Sequence, residues 1–123
     1  GDQASDIGDL IAQNAGVVTK GDTAKLKMMG ILAKDMVKNS VDSFIHADND
    51  LADRTAKKDD ELDELFIDVK NGLIEFMKES PENADDALVL MMIAKYFERI
   101  GDHAVNVCEW TNYEEAGEHV KFQ

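Results

Sequence analysis

A chain of 123 residues, 44% of them hydrophobic, is long enough for one domain with a real core, and its net charge of −13 excludes nucleic acid as a partner, which needs clustered Lys and Arg. The single cysteine, Cys108, excludes an internal disulfide framework and fits a reducing cytoplasm. The longest apolar run, 87–94, falls far short of the roughly 18 residues of a spanning helix, and no signal-peptide pattern opens the sequence.

With one proline and no alternating Val/Ile/Thr runs, the dominance of Ala, Leu, Lys, Glu and Met predicts an all-α domain. Residues 1–15 read as a short helical segment, closed by "AGVVTKGDTAK" (15–25) with Gly21 as a break and Asp22 or Thr23 as the next cap. Leu26, Met29, Ala33, Met36, Val37, Val41, Phe44 and Ile45 then recur at helical spacing, predicting an amphipathic helix over 23–47. Asp48-Asn49-Asp50 is turn chemistry. A second helix is expected over about 51–78, with Leu62, Phe66, Val69, Leu73 and Phe76 on one stripe. "ESPEN" (79–83) ends it, with Ser80 as cap and Pro81 opening a third helix that runs to about 112, followed by a weakly patterned tail, 113–123. Long helices on short connections fold back on each other, so an antiparallel three-helix bundle is expected.

The third helix contains an anomaly. Followed in steps of three and four, Ala84, Leu88, Met91, Lys95, Glu98, Asp102, Val105 and Glu109 begin apolar and turn acidic. A second apolar stripe, Val89, Met92, Ile93, Tyr96, Phe97 and Ile100, lies beside it and suggests a central helix. On the second helix, Asp59 and Asp63 bracket Leu62 next to the apolar stripe. Like charges four residues apart cost roughly 0.2–0.5 kcal/mol even when exposed, and a desolvated, unpaired carboxylate costs several kcal/mol. A bound cation resolves that cost, and carboxylate oxygens suit Mg²⁺, Ca²⁺, Mn²⁺ or iron, whereas zinc more often recruits His or Cys. The alternative is that these acids face solvent or meet Arg99, Lys95, Lys57 and Lys58.

Glu98-Arg99-Ile100-Gly101-Asp102-His103-Ala104, with Asn106 beyond it, resembles the signature of the PhoU family of accessory regulators of bacterial phosphate uptake. "DDELDEL" (59–65) resembles that family's acidic run on the preceding helix. The resemblance implies a PhoU-like bundle over 23–112 and a metal-binding set of Glu98, Asp102, Asp59, Asp63 and Asn106. The opening "GDQASDIGDL" aligns with "GDHAVNVCEW" (101–110), which implies that 1–22 are the end of a preceding repeat plus a linker, with Asp2 and Asp6 as further metal-site acids. It also implies a non-enzymatic cytoplasmic adaptor that restrains the phosphate ATP-binding-cassette transporter through its ATPase and keeps a sensor histidine kinase in its repressing state. Contact with a membrane would come only through those protein partners, and a homodimer is possible within this reading. The bound ion is left open among Mg, Ca, Mn, Fe and Zn.

Two other readings have tests in the sequence. A carboxylate-bridged di-iron enzyme needs Glu-x-x-His pairs, but the residues three before His46, His103 and His119 are Ser43, Ile100 and Ala116. A metal-free interaction bundle predicts that neutralising Glu98 and Asp102 stabilises the fold. Cys108 and the six methionines read as core residues. His103 points about 100° away from Asp102, and Gly101 suggests close helix approach.

Overall fold

The computed structural model describes residues 20–121, with side-chain surroundings over 21–114. Three α-helices account for nearly all of that span: α1 (Lys20–Ile45), α2 (Asn49–Glu79) and α3 (Ala84–Lys121). Each packs on both of the others, so α3 is not central as its wide apolar arc suggested. Phe97 lies against Gly30, Gly101 beside Met36, and Ser43 beside Thr111, which makes α1 and α3 parallel. Lys95 sits over Phe66, and Asn112 reaches Asp53, so α2 runs antiparallel to α3.

The register of the core is a strict 3-4 repeat on every helix. On α1 it runs Leu26, Met29, Ala33, Met36, Ser40, Ser43, and on α3 Ala87, Leu90, Ala94, Phe97, Gly101, Ala104, Cys108, Thr111, all buried. On α2 the same spacing runs Ala52, Thr55, Asp59, Leu62, Phe66, Val69, Leu73, Phe76. A seven-residue repeat keeps one seam facing the neighbours along the whole length of a helix, as in coiled-coil packing. The expected α1 stripe therefore departs from the core after Met36. Val37, Val41, Phe44 and Ile45 are 39%, 43%, 48% and 66% exposed, and the seam continues through two serines. Their burial is compensated locally, because Ser40 Oγ donates to the Val37 carbonyl at 2.8 Å and Ser43 Oγ to the Ser40 carbonyl at 2.7 Å. Similarly, Leu88 and Met92 on α3 and Met28 on α1 are exposed, while Met29 and Met36 fill the core.

Helix ends follow local chemistry. Asp48 caps α2, its Oδ1 accepting from the Leu51 N–H at 3.0 Å, after a turn in which Ala47 takes φ 51°. α1 already includes residues 20–22, so Asp22 lies in its first turn rather than at a cap before residue 23. Ser80 makes no side-chain cap. Instead its N–H closes α2 on the Phe76 carbonyl at 2.8 Å, and Pro81–Asn83 form a 3₁₀ turn before α3 starts at Ala84. The tail predicted beyond 112 continues α3 to Lys121. The expected segment 1–15, with Asp2 and Asp6, lies outside the described residues.

Candidate functional site

The antiparallel α2/α3 seam brings Asp59 and Asp63 of α2 beside Glu98 and Asp102 of α3. Asp59 occupies a core position of the repeat, and only the bare Cα of Gly101 opposite makes room for it. A Cβ at Gly101 would sit 3.3 Å from Asp59 Oδ1 and collide with the Leu62 side chain. Leu62 and Asp59 therefore share the space that a side chain at 101 would otherwise fill.

The electrostatics follow from that packing. Asp59 Oδ1 is buried without a hydrogen-bond partner. Burial, reinforced by the charges of Asp63, Asp102, Asp60 and Glu98, pushes the Asp59 carboxyl up from 3.8 to about 6. Asp63 is also raised, by burial first, then by the charges of Glu98 and Asp102 and by a side-chain hydrogen bond with Glu98. Glu98, with its side chain 20% exposed, accepts from Lys95 Nζ at 3.2 Å. That lysine also stands 4.9 Å from the centre of the Phe66 ring. The expected alternative, that a lysine meets the acids, thus holds for Glu98.

Asp60 contributes charge to both raised carboxyls and was not singled out from the sequence, although the adjacent Asp59-Asp60 pair is visible there. Asp102 is exposed, and so is Asn106 one turn further on. His103 is exposed, and Cys108 is buried, its thiol pushed up by burial and by Asp53 and Glu109. That environment disfavours the thiolate and with it nucleophilic chemistry.

The seam suits a hard cation by donor chemistry. Its donors are carboxylate oxygens, one of them a buried oxygen that lacks a hydrogen bond, in a place where four carboxylates repel one another. Among the described residues no group of three or more His, Cys, Asp or Glu side chains is placed so as to hold a metal ion. For a cation to be held here, the side chains of Asp59, Asp63, Glu98 and Asp102 would have to turn toward one another. No helix among the described residues is long and apolar enough to cross a membrane.

Fold and seam together define a small helical bundle with an acidic inter-helix face. The PhoU domain pattern matches residues 26–111, and the chain belongs to the PhoU family. It is 33% identical over 120 residues to a Clostridium acetobutylicum protein named a phosphate-specific transport system accessory protein PhoU homolog, covering 98% of this chain and 55% of that protein. A homolog of the same name from Caulobacter vibrioides is 30% identical over 128 residues, covering 100% of this chain and 54% of the relative. PhoU homolog 1 of Thermotoga maritima is 38% identical over 86 residues, or 70% of this chain and 37% of the relative. The chain thus spans about half the length, or less, of the curated relatives it matches.

Proposed function

We propose that the chain acts as a regulatory bundle of a phosphate-uptake system and that its acidic α2/α3 seam binds a metal ion. The observation that carries this reading is one carboxylate oxygen of the half-buried Asp59, Oδ1, enclosed without a hydrogen-bond partner among three further acids in a PhoU bundle. Four carboxylates in one seam oppose folding, and a cation converts that repulsion into a contact that ties α2 to α3. In this reading Asp59, Asp63, Glu98 and Asp102 are ligands, Asn106 supplies an outer oxygen, and the ion is structural or a docking element rather than the centre of a turnover. Mg²⁺, Ca²⁺, Mn²⁺ and iron suit the oxygen donors better than zinc does. The bundle itself works in the cytoplasm against the transporter ATPase and the sensor histidine kinase. It holds import low and the kinase repressing when phosphate is plentiful.

The test is elemental analysis of protein purified without chelator, with thermal melting before and after EDTA. Stoichiometric metal and a melt lowered by EDTA, both lost in Glu98→Gln/Asp102→Asn, support the site. Absence of metal with an unchanged melt favours the second reading, a metal-free interaction bundle, which the lack of a converged cage among the described residues also favours. Co-purification with the transporter ATPase, measured in parallel, tests the regulatory role separately from the metal.

A further inference from the structure

The two flanks of α1 differ in charge. Lys25, Leu32 and Asn39 stand at seven-residue spacing, and Lys25 pairs with Asp68 of α2 at 3.4 Å, so that row faces α2. Asp35 and Asp42, three residues past Leu32 and Asn39, lie beside it. On the other flank Gly30 receives the Phe97 ring, so the row of Gly30, Val37 and Phe44 turns toward α3. Lys27, Lys34 and Val41 form the next row outward, with Lys38 at its edge.

The Ser43–Thr111 contact sets Phe44 level with Val107, one turn before Thr111, and with Trp110 beside it. Val37, Val41, Phe44 and Trp110 are all exposed, and they make an apolar strip along the α1/α3 junction. Lys27, Lys34 and Lys38 are exposed next to it and form no ion pair among the described residues. Neither the α1 rows that run from Lys27 to Phe44 nor Ile93, Ile100 and Val107 opposite include a carboxylate. In a chain with 26 acids, four of them in the α2/α3 seam, this junction stands apart as basic and apolar.

We propose that the α1/α3 junction is a docking surface for an amphipathic helix of a partner protein, one whose apolar stripe is bordered by Asp and Glu. A helix laid along the junction covers Val37, Val41 and Phe44 and brings its carboxylates to the three lysines. From Lys27 to Phe44 the surface is about 26 Å long, enough for about 17 helical residues. Phe44 and Trp110 at one end are aromatic anchors. A second copy of the chain fits poorly, because this face laid on itself sets lysines against lysines. An anionic bilayer fits poorly too, because it repels a chain of −13. The inference rests on the regulatory reading, to which it adds the chemistry of the partner, and it needs no metal.

Trp110 is the chain's only tryptophan and is 61% exposed, so its fluorescence reads the junction directly. The probe is a synthetic helical peptide of about 18 residues, with Leu at 3-4 spacing and Glu along both borders, titrated into the chain in EDTA. The expected result is a saturable blue shift of Trp110 emission, with weaker binding of the same peptide carrying Lys for Glu. Lys34→Glu weakens binding of the Glu peptide by at least about tenfold and reverses the preference. Phe44→Ala weakens it by a similar factor, whereas Lys58→Glu, exposed on α2, leaves it unchanged. The substituted sites are exposed, so circular dichroism is expected to show unchanged helicity. No blue shift, equal binding of the two peptides, or binding that survives Lys34→Glu overturns the proposal. So does a shift that follows the chain's own concentration, or vesicles of anionic phospholipid, in place of the peptide. Peptide binding that persists while co-purification with the transporter ATPase fails supports the surface and counts against the regulatory reading.

Discussion

Gly101 of α3 meets the buried side chain of Leu62 on α2 with no side chain of its own between them. Its bare Cα sets the distance between the two helices that carry the acids, and with it the burial of Asp59. A glycine inside a helix costs about 1 kcal/mol relative to alanine, a cost offset here by this close approach.

Gly101→Ala gains helix propensity but drives a Cβ into Leu62, which is fully buried and has little room to turn. The expected net effect is a loss of about 1 kcal/mol, and Gly101→Leu loses about 3 kcal/mol or more by overpacking. Urea unfolding measures both, and Gly101→Ala/Leu62→Ala is expected to cost less than the sum of the two single changes.

Asp59 gives the fold a pH dependence of defined sign. Its carboxyl is raised to about 6 in the folded chain from 3.8, so the native state holds the proton more tightly than the unfolded state. The stabilisation is complete below 3.8 and is lost as pH rises through about 6. Metal-free protein is therefore expected to melt higher at pH 5 than at pH 7.5. Asp59→Asn is expected to flatten that difference and to raise the melting temperature most at pH 7.5. Equal pH slopes for the two proteins in thermal melts would show that Asp59 is not the group responsible.

The far end of the bundle is held by a polar pair. Ser43 Oγ and Thr111 Oγ1 lie 3.2 Å apart between α1 and α3, and Thr111 also donates to the Val107 carbonyl at 3.2 Å. Ser43→Ala is expected to cost about 1 kcal/mol. Thr111→Val alone costs a similar amount, and the double change costs less than the sum, since the contact between the two oxygens is lost only once. A double-mutant cycle in urea reads the coupling.

Asp48 is the side-chain cap of α2. Asp48→Ala is expected to cost about 1 kcal/mol, whereas Ser80→Ala costs little, because Ser80 makes no side-chain cap. Comparing their urea midpoints distinguishes a cap supplied by a side chain from one made by the backbone.

Much of the architecture was legible before any coordinates. Composition and helical spacing indicated three helices on short connections, and the α2 stripe from Leu62 to Phe76 packs as expected. The register was harder to read. Apolar residues drew the α1 stripe toward Val41 and Phe44, but the packed seam passes through Ser40 and Ser43. Hydrophobicity marks which residues favour burial, whereas neighbouring helices fix which side of a helix is enclosed. Serines whose hydroxyls fold back onto the preceding turn tolerate that enclosure.

By itself the sequence determined the helical class, the approximate helix boundaries and the presence of acid pairs on the second and third helices, because these follow from local propensity and spacing. The PhoU signature around Gly101 was legible too, as a resemblance to a known family. Only the tertiary structure decided that Asp59 falls in the core register opposite Gly101 while Asp102 and Asn106 stay exposed. It alone decided that the packed side of α1 runs through Ser40 and Ser43 while Val41, Phe44 and Ile45 face solvent. A residue's burial, and the pKa that follows from it, depends on side chains from other helices brought against it, and spacing along one helix does not contain that information.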